Sequence, residues 1–328
     1  MAKYILKRLL YMIPTLIAIS LVSFIIIQLP PGDFLTSVEA QMENQGTSLQ
    51  ADQLAALQQQ YGLDQPFYVQ YWKWISGILL RGDFGYSFQW NRPVGQLIWD
   101  RLGLTFLVSI TAFVFIWIVA FPIGIYSAVR KYSAGDYAAT FIGFIGLAIP
   151  NFVLALVLMY VSFAAFGQSV GGLFSPGFLN APWSLPKLGD LLKHLWLPTI
   201  VLGLSGTAGL IRIMRANLLD ELSKAYVVTA RAKGLSEWRL LMKYPVRIAL
   251  NPFVSTAGWY LPELISGVTI TAIVLSLPVA GPLLIQSLEA QDMYLAGSFI
   301  LLLSVLTVVG TLLSDLLLAL LDPRIRYK

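Results

Sequence analysis

Long uncharged apolar stretches alternate with short charged segments along this 328-residue chain. A helix that crosses about 30 Å of hydrocarbon at about 1.5 Å per residue needs roughly 20 mostly apolar residues. Six stretches are predicted to be such spans: 9–29, 102–129, 137–166, 195–211, about 252–277 and about 294–321. The first follows Lys3, Lys7 and Arg8, as a secretory leader would. Its apolar run is too long for a leader and no small-residue cleavage site follows, so it is predicted to be a retained helix. Gly167, Gly171 and Gly172 close the third span, and the fourth is short. Pro150, Pro198 and Pro262 fall inside spans. They are expected to kink rather than end them, because neighbouring helices can re-satisfy the carbonyls that proline frees.

Composition supports the pattern. Hydrophobic residues make up 57% of the chain and charged residues 12%, about half the charge of an ordinary soluble domain. In water this much apolar surface would have nowhere to go. The net charge of +5 could suggest nucleic acid, but its placement points elsewhere. With the N-terminus inside, 16 of the 22 basic residues fall in inside segments, among them Arg130, Lys131 and the eight between Arg212 and Arg247. The remaining six fall outside. The positive-inside rule therefore predicts an N-in, C-in multi-pass protein, and the charge is a topology signal with no nucleic-acid partner implied. The chain has no cysteine, which excludes disulfides, thiolate nucleophiles and zinc–thiolate sites. Its one histidine, His194, excludes a histidine-rich metal site and is expected to be a solvated or capping residue beside the fourth span.

Two segments outside the spans are large. Residues 30–100 form an external insertion with a stretch of helical character at 50–60 and an aromatic run, Tyr68-Val-Gln-Tyr71-Trp72-Lys-Trp74; these aromatics are expected to anchor at the membrane interface. The other is a cytoplasmic loop at about 212–250. There Leu219, Leu222, Tyr226 and Ala230 recur at helical spacing. Gly234 is expected to stop that helix, Ser236 to cap a second short one, and Glu237 to sit in its first turn. The result is a rigid knob, which either lies as a basic amphipathic helix on anionic lipid or docks a cytoplasmic partner.

The run Tyr226-Val-Val-Thr-Ala-Arg-Ala-Lys-Gly234 resembles the coupling (EAA) loop of binding-protein-dependent ABC importer permeases, in the dipeptide/oligopeptide/nickel form. Where the general pattern has Glu-Ala-Ala, this chain has Val228, Thr229 and Ala230. Other segments resemble the B-type permease in the same order: Lys7-Arg8-Leu-Leu-Tyr-Met-Ile-Pro14, Pro31-Gly-Asp33, Tyr61-Gly-Leu-Asp64-Gln-Pro66, Arg81-Gly-Asp83-Phe-Gly-Tyr-Ser87 and Leu321-Asp-Pro323-Arg324. One stretch departs: before Ser276-Leu-Pro278 the family often carries an acid, and Thr269 to Leu275 has none.

The resemblance implies an all-α, type I ABC importer permease fold. Residues 1–29 would be the cytoplasmic start and first helix, 30–100 the periplasmic insertion, and 101–328 a five-helix core with the coupling loop. It implies a bacterial inner-membrane location, a second homologous permease, two cytoplasmic ABC ATPases and an external solute-binding protein. Tyr226, Thr229, Ala230, Arg231, Lys233, Gly234 and Leu235 would contact the ATPase. The chain contains no G-x-x-x-x-G-K-[ST] phosphate loop, so it is expected to hold no cofactor, with ATP and magnesium on the partner subunits. Nothing in the chain suggests enzymatic chemistry. A short peptide or an oligosaccharide would cross unchanged by alternating access; opines and nickel are the other cargoes the family implies.

Glu263 lies about 11 residues, or about 16 Å, into the fifth span, near the bilayer midplane. A carboxyl at that depth normally faces a cavity or a partner, so Glu263 is the candidate pore-lining residue; a protonated structural carboxyl is the plainer reading. Glu263 could also serve an ion-coupled secondary transporter. Such a protein would usually show internal repeats, and none is visible in these six spans.

Overall fold

The computed structural model describes residues 2–28, 65–87, 89–167, 171–179, 181–255, 269–290 and 292–321. These are almost entirely helical. In chain order come α1 (Ala2–Gln28), α2 (Phe67–Arg81), the strands β1 (Tyr86–Ser87) and β2 (Arg92–Pro93), α3 (Val94–Val129), α4 (Ala134–Ala148) and α5 (Asn151–Phe166). Then follow α6 (Leu185–Leu222), α7 (Ala225–Ala232), α8 (Glu237–Lys243), α9 (Pro245–Ser255), α10 (Thr269–Val274), α11 (Ala280–Glu289) and α12 (Met293–Leu321). Among the described residues three helices are long and apolar enough to cross a membrane: α3, α6 and Tyr294–Leu312 within α12. The α4–α5 pair makes a fourth if it crosses as one span, and α1 adds a shorter apolar helix, Leu9–Ile25. Half of the predicted fifth span, 256–268, lies outside the described residues, as do Pro262 and the stretch at 50–60.

The prolines behave differently from one another. Pro198 lies inside a continuous α6, as expected. Pro150 does not merely kink the third span: α4 ends at Ala148, α5 starts at Asn151, and the two are bent by 104°. A residue before proline is driven from helical to extended backbone by the proline ring, and Ile149 sits at φ −89°, ψ 121°. The fourth span is also longer than predicted. It begins at Leu185, where the Ser184 hydroxyl accepts a hydrogen bond from the Lys187 amide, and continues past Arg212 to Leu222. His194 is therefore inside a helix, its Nδ1 2.8 Å from the Asp190 carbonyl, rather than a solvated residue beside one.

The chain divides into two compact units. One comprises Met1–Ile5, Phe106–Pro278 and Val309–Lys328. Within it α6 packs against α4, α5 and α9. Small residues let α6 also approach α3 closely, as at other membrane helix interfaces: a Cβ on Gly203 would lie 2.4 Å from the Phe115 ring, and one on Gly124 2.7 Å from Met214. The loop between α5 and α6 is pinned by buried charges. The Asp190 carboxylate accepts the Ser175 amide at 2.7 Å and its hydroxyl at 2.6 Å. Lys187 donates to the Ala181 carbonyl at 2.6 Å, with its ammonium 4.8 Å from the Phe174 ring centre and 5.3 Å from that of Trp183. α10 ends in the same kind of turn that glycine usually makes, with Ser276 at φ 53° in the left-handed position.

The other unit comprises Leu6–Thr105 and Val279–Val308. Its core joins Phe24, Trp74, Ile98, Leu283, Leu295 and Phe299. Tyr71 and Trp74, expected as interface anchors, instead pack on Phe24 and belong to this core, while Tyr68 and Trp72 stay exposed. The Arg81-to-Ser87 motif is explained by geometry. Gly82, at φ 64°, ends α2 with bonds to Gly77 and Ile78. Asp83 accepts the Gly85 amide at 2.9 Å, and the chain enters a small antiparallel hairpin. The Ser87 hydroxyl then donates to the buried carboxylate of Asp292 at 2.5 Å, which also caps α12 by accepting the Leu295 amide at 3.1 Å. Gly85 sits at φ 89°, and a Cβ there would lie 2.6 Å from the Tyr294 ring. Left-handed strain and overpacking act together at this position. Gly85→Ala is thus expected to destabilise the protein by about 2 kcal/mol, seen as a lower unfolding temperature in detergent; an unchanged value would contradict the close approach.

Candidate functional site

The segment after α6 is built from two short helices around one turn. α6 ends at Leu222, where the Ser223 hydroxyl donates to the Asp220 carbonyl at 2.8 Å and competes with the helix for backbone groups. Lys224 is extended, at φ −72°, ψ 147°, and α7 starts after it. The single predicted helix through Leu219, Leu222, Tyr226 and Ala230 is therefore two helices, with the first pair of residues on α6. The Tyr226 hydroxyl bridges the break by donating to the Glu221 carboxylate at 2.5 Å. Burial and that carboxylate push the phenol's pKa up, so it stays protonated and keeps donating.

At the other end of α7 the Gly234 amide donates to the Arg231 carbonyl at 3.0 Å and the Leu235 amide to the Ala230 carbonyl at 3.4 Å. With Gly234 at φ 78°, this is a Schellman turn, which requires the left-handed backbone that glycine adopts without penalty. The turn folds Leu235 back onto Val227, Ala230 and Leu240, with Tyr226 and Tyr244 packed around them. Val227 and Leu240 are fully buried, each contributing about 1.5–3 kcal/mol by leaving water. Across the outside of the turn Arg231 makes a paired bond to Glu237, at 2.6 and 3.1 Å. That bond holds the Glu237 carboxyl below its usual pKa and raises the Arg231 guanidinium's. Ser236 occupies the cap position of α8, but its side chain makes no capping bond; Glu237 is in the first turn as expected.

The site residues separate by exposure. Thr229, Arg231, Lys233 and Gly234 lie on the surface, Tyr226 and Leu235 are half-buried, and Ala230 is buried in the knob's own core. Three exposed apolar residues on the same two helices complete the surface: Val228 at 56%, Trp238 at 70% and Met242 at 36% exposure. Trp238 and Met242 are four apart on α8, hence on one face. A tryptophan and a methionine at that spacing in a short basic segment were a visible signal. Glu263 lies outside the described residues.

The helix that carries this knob is fixed to its neighbour by a buried ion pair. Arg215 of α6 donates to both carboxylate oxygens of Asp136 at the start of α4, at 2.9 and 2.8 Å. Asp136 also accepts the Tyr132 amide at 2.9 Å, and its own amide donates to the capping hydroxyl of Ser133.

Known proteins resemble the chain over its whole length. The family described as binding-protein-dependent transport system inner membrane component matches residues 120–327, and the N-terminal region of such components matches 1–111. The chain belongs to this family. AppB, an oligopeptide transport system permease protein of Bacillus subtilis, is 38% identical over all of both chains. GsiC, a glutathione transport system permease protein of Salmonella paratyphi A, is 33% identical, again over all of both chains. A solved chain of the MetNI methionine ABC transporter, in inward-facing form, gives a TM-score of 0.49 at 16% identity, covering 70% of this chain and 96% of that one. This binding-protein-dependent permease is thus a membrane-embedded transport subunit of an ATP-driven importer and not an enzyme. Such subunits work with a partner permease, an ATPase and a solute-binding protein, and ATP hydrolysis belongs to the ATPase.

Proposed function

We propose that this permease forms half of an inner-membrane pore for short peptides and that the α7–α8 knob docks one of two cytoplasmic ABC ATPases. The knob supports the docking reading: a turn set by one left-handed glycine presents Thr229, Arg231 and Lys233 together with exposed Val228 and Trp238. A helix resting on lipid needs one continuous apolar face, whereas here Val227 and Ala230 of α7 are buried against Leu240 of α8 and leave Val228 as its exposed branched apolar residue. The second homologous permease and the external binding protein complete the assembly. ATP and magnesium bind on the ATPases, with the N- and C-termini of this chain in the bacterial cytoplasm. Residues 1–29 form the start and first helix, 30–100 the external insertion and 101–328 the core, with Glu263 lining the pore. The peptide cargo follows the oligopeptide and glutathione permeases that match the full chain.

Reconstituted with its partner subunits in liposomes, the permease should support ATP hydrolysis that rises when binding protein loaded with peptide is added. Stimulation by an oligosaccharide-loaded binding protein alone would overturn the cargo. Uptake driven by an ion gradient without ATP would overturn the mechanism.

A further inference from the structure

A cavity of about 290 Å³ lies between α4 and α6. Its lining is graded along both helices. On α4 it runs from Asp136 and Tyr137 through Thr140 to Gly143 and Phe144; on α6 it runs from Arg215 and Arg212 through Ile211 to Ala208. Residues three and four apart stack along a helix, so the charged end at Asp136 and Arg215 is about two turns from the apolar end at Gly143 and Ala208, with Arg212 between them. The charged end coincides with the point where the uncharged stretches 137–166 and 195–211 stop. It is therefore at the membrane–water boundary, with the apolar end inside hydrocarbon.

The charges there do not balance. The Asp136 carboxylate is engaged on both oxygens by Arg215. Arg212 is exposed, its guanidinium 5.4 Å from the Phe144 ring centre, and among the described residues it has no carboxylate partner. Arg130 and Lys131 precede α4 at the same boundary. Excess positive charge at the mouth of an apolar slot matches an amphiphile with an anionic head. We propose that this cavity binds an anionic phospholipid, with its phosphate at Arg212 and an acyl chain along Gly143 and Ala208. Basic pockets between membrane helices on the cytoplasmic side recognise anionic headgroups in this way, and a planar guanidinium pairs with phosphate bidentately. The inner leaflet as the lipid's source rests on the orientation proposed above; the binding itself does not.

The test uses the full-length chain with its accompanying subunits, purified in mild detergent, stripped of lipid and offered equal amounts of phosphatidylglycerol and phosphatidylcholine. Native mass spectrometry should show retention of phosphatidylglycerol in preference. Arg212→Gln should lower that retention at least fivefold with the subunit composition unchanged. Gly143→Leu should block it from the apolar side, since a Cβ at Gly143 meets Ala208 at an ordinary 3.5 Å and a longer side chain enters the slot. Equal retention of the two lipids, or undiminished phosphatidylglycerol in Arg212→Gln, would overturn the site. Displacement by millimolar inorganic phosphate would make it a soluble-anion site instead. Loss of the partner permease in Arg212→Gln, with bound lipid unchanged, would make this face a protein interface. Because detergent removes the distinction between leaflets, a wrong orientation would leave these outcomes untouched.

Discussion

Gly234→Val is expected to leave the protein in the membrane at normal levels while separating it from its ATPase. Gly234 sits at φ 78° and is exposed, and a Cβ built on it meets nothing within 4 Å. The substitution therefore fails through the backbone and not through a clash. A β-branched residue is a genuine outlier at positive φ, and the left-handed conformation costs an L-residue about 1–2 kcal/mol. To relieve it the turn must open, giving up the Leu235-to-Ala230 bond and pulling Leu235 from Val227 and Leu240. A penalty of that size shifts a two-state equilibrium about five- to thirtyfold, so the docking-competent knob becomes a minor form. Copurification with a tagged ATPase should fall by that order, and hydrolysis stimulated by loaded binding protein with it. Gly234→Asn is the control, because asparagine tolerates the left-handed region far better; it should retain most of both. Equal, full association in the valine variant would remove the docking role of this turn.

The glycine was legible because its constraint is local: a turn residue needs only its own φ and the bonds of four neighbours. The second, fourth and sixth spans were legible for a similar reason, since hydrocarbon demands an uncharged run whatever packs beside it. What escaped depends on contacts distant in sequence. Nothing near His194 marks it as a helix residue bonded to Asp190, because the α6 start at Ser184 precedes the apolar run and carries Lys187, Asp190 and Lys193. Asp190 is held by Ser175, and Lys187 by Ala181 and two aromatic rings, all in the preceding loop. Tyr71 and Trp74 look like interface residues until Phe24 is seen beside them. At Pro150 the competing principles were both known. Helix repair by neighbours lost to the extended conformation that proline imposes on Ile149. The break at Ser223 shows the same competition at smaller scale: a continuous 3.6-residue pattern from Leu219 to Ala230 was overridden by one hydroxyl bonded to its own helix end.

Asp136→Asn tests the other joint on which the knob depends. The substitution keeps the shape of the side chain and an oxygen for the Tyr132 amide, but removes the charge that Arg215 binds. The Asp136 side chain is 3% exposed and that of Arg215 26%. Removing one partner of a buried pair leaves the other uncompensated, which costs about 3–5 kcal/mol. Arg215 retains some access to water, so a loss near the lower end, about 3 kcal/mol, is expected. For a chain of this size each kcal/mol lowers the unfolding temperature by about 2–4 °C, giving a drop of roughly 6–12 °C in detergent. Replacing both partners with leucine should recover much of that loss, because the penalty arises from the stranded charge and a well-packed apolar pair avoids it. The double-mutant cycle then separates the pair's coupling from the volume change at either position. Since the knob follows directly on α6, loosening α6 from α4 also weakens the mechanical link between the knob and the spans. ATP hydrolysis in Asp136→Asn should therefore persist at temperatures below unfolding while uptake per ATP falls. An unfolding temperature within about 2 °C of the parent, with uptake intact, would show that the Asp136–Arg215 bridge neither holds these helices together nor transmits anything through them.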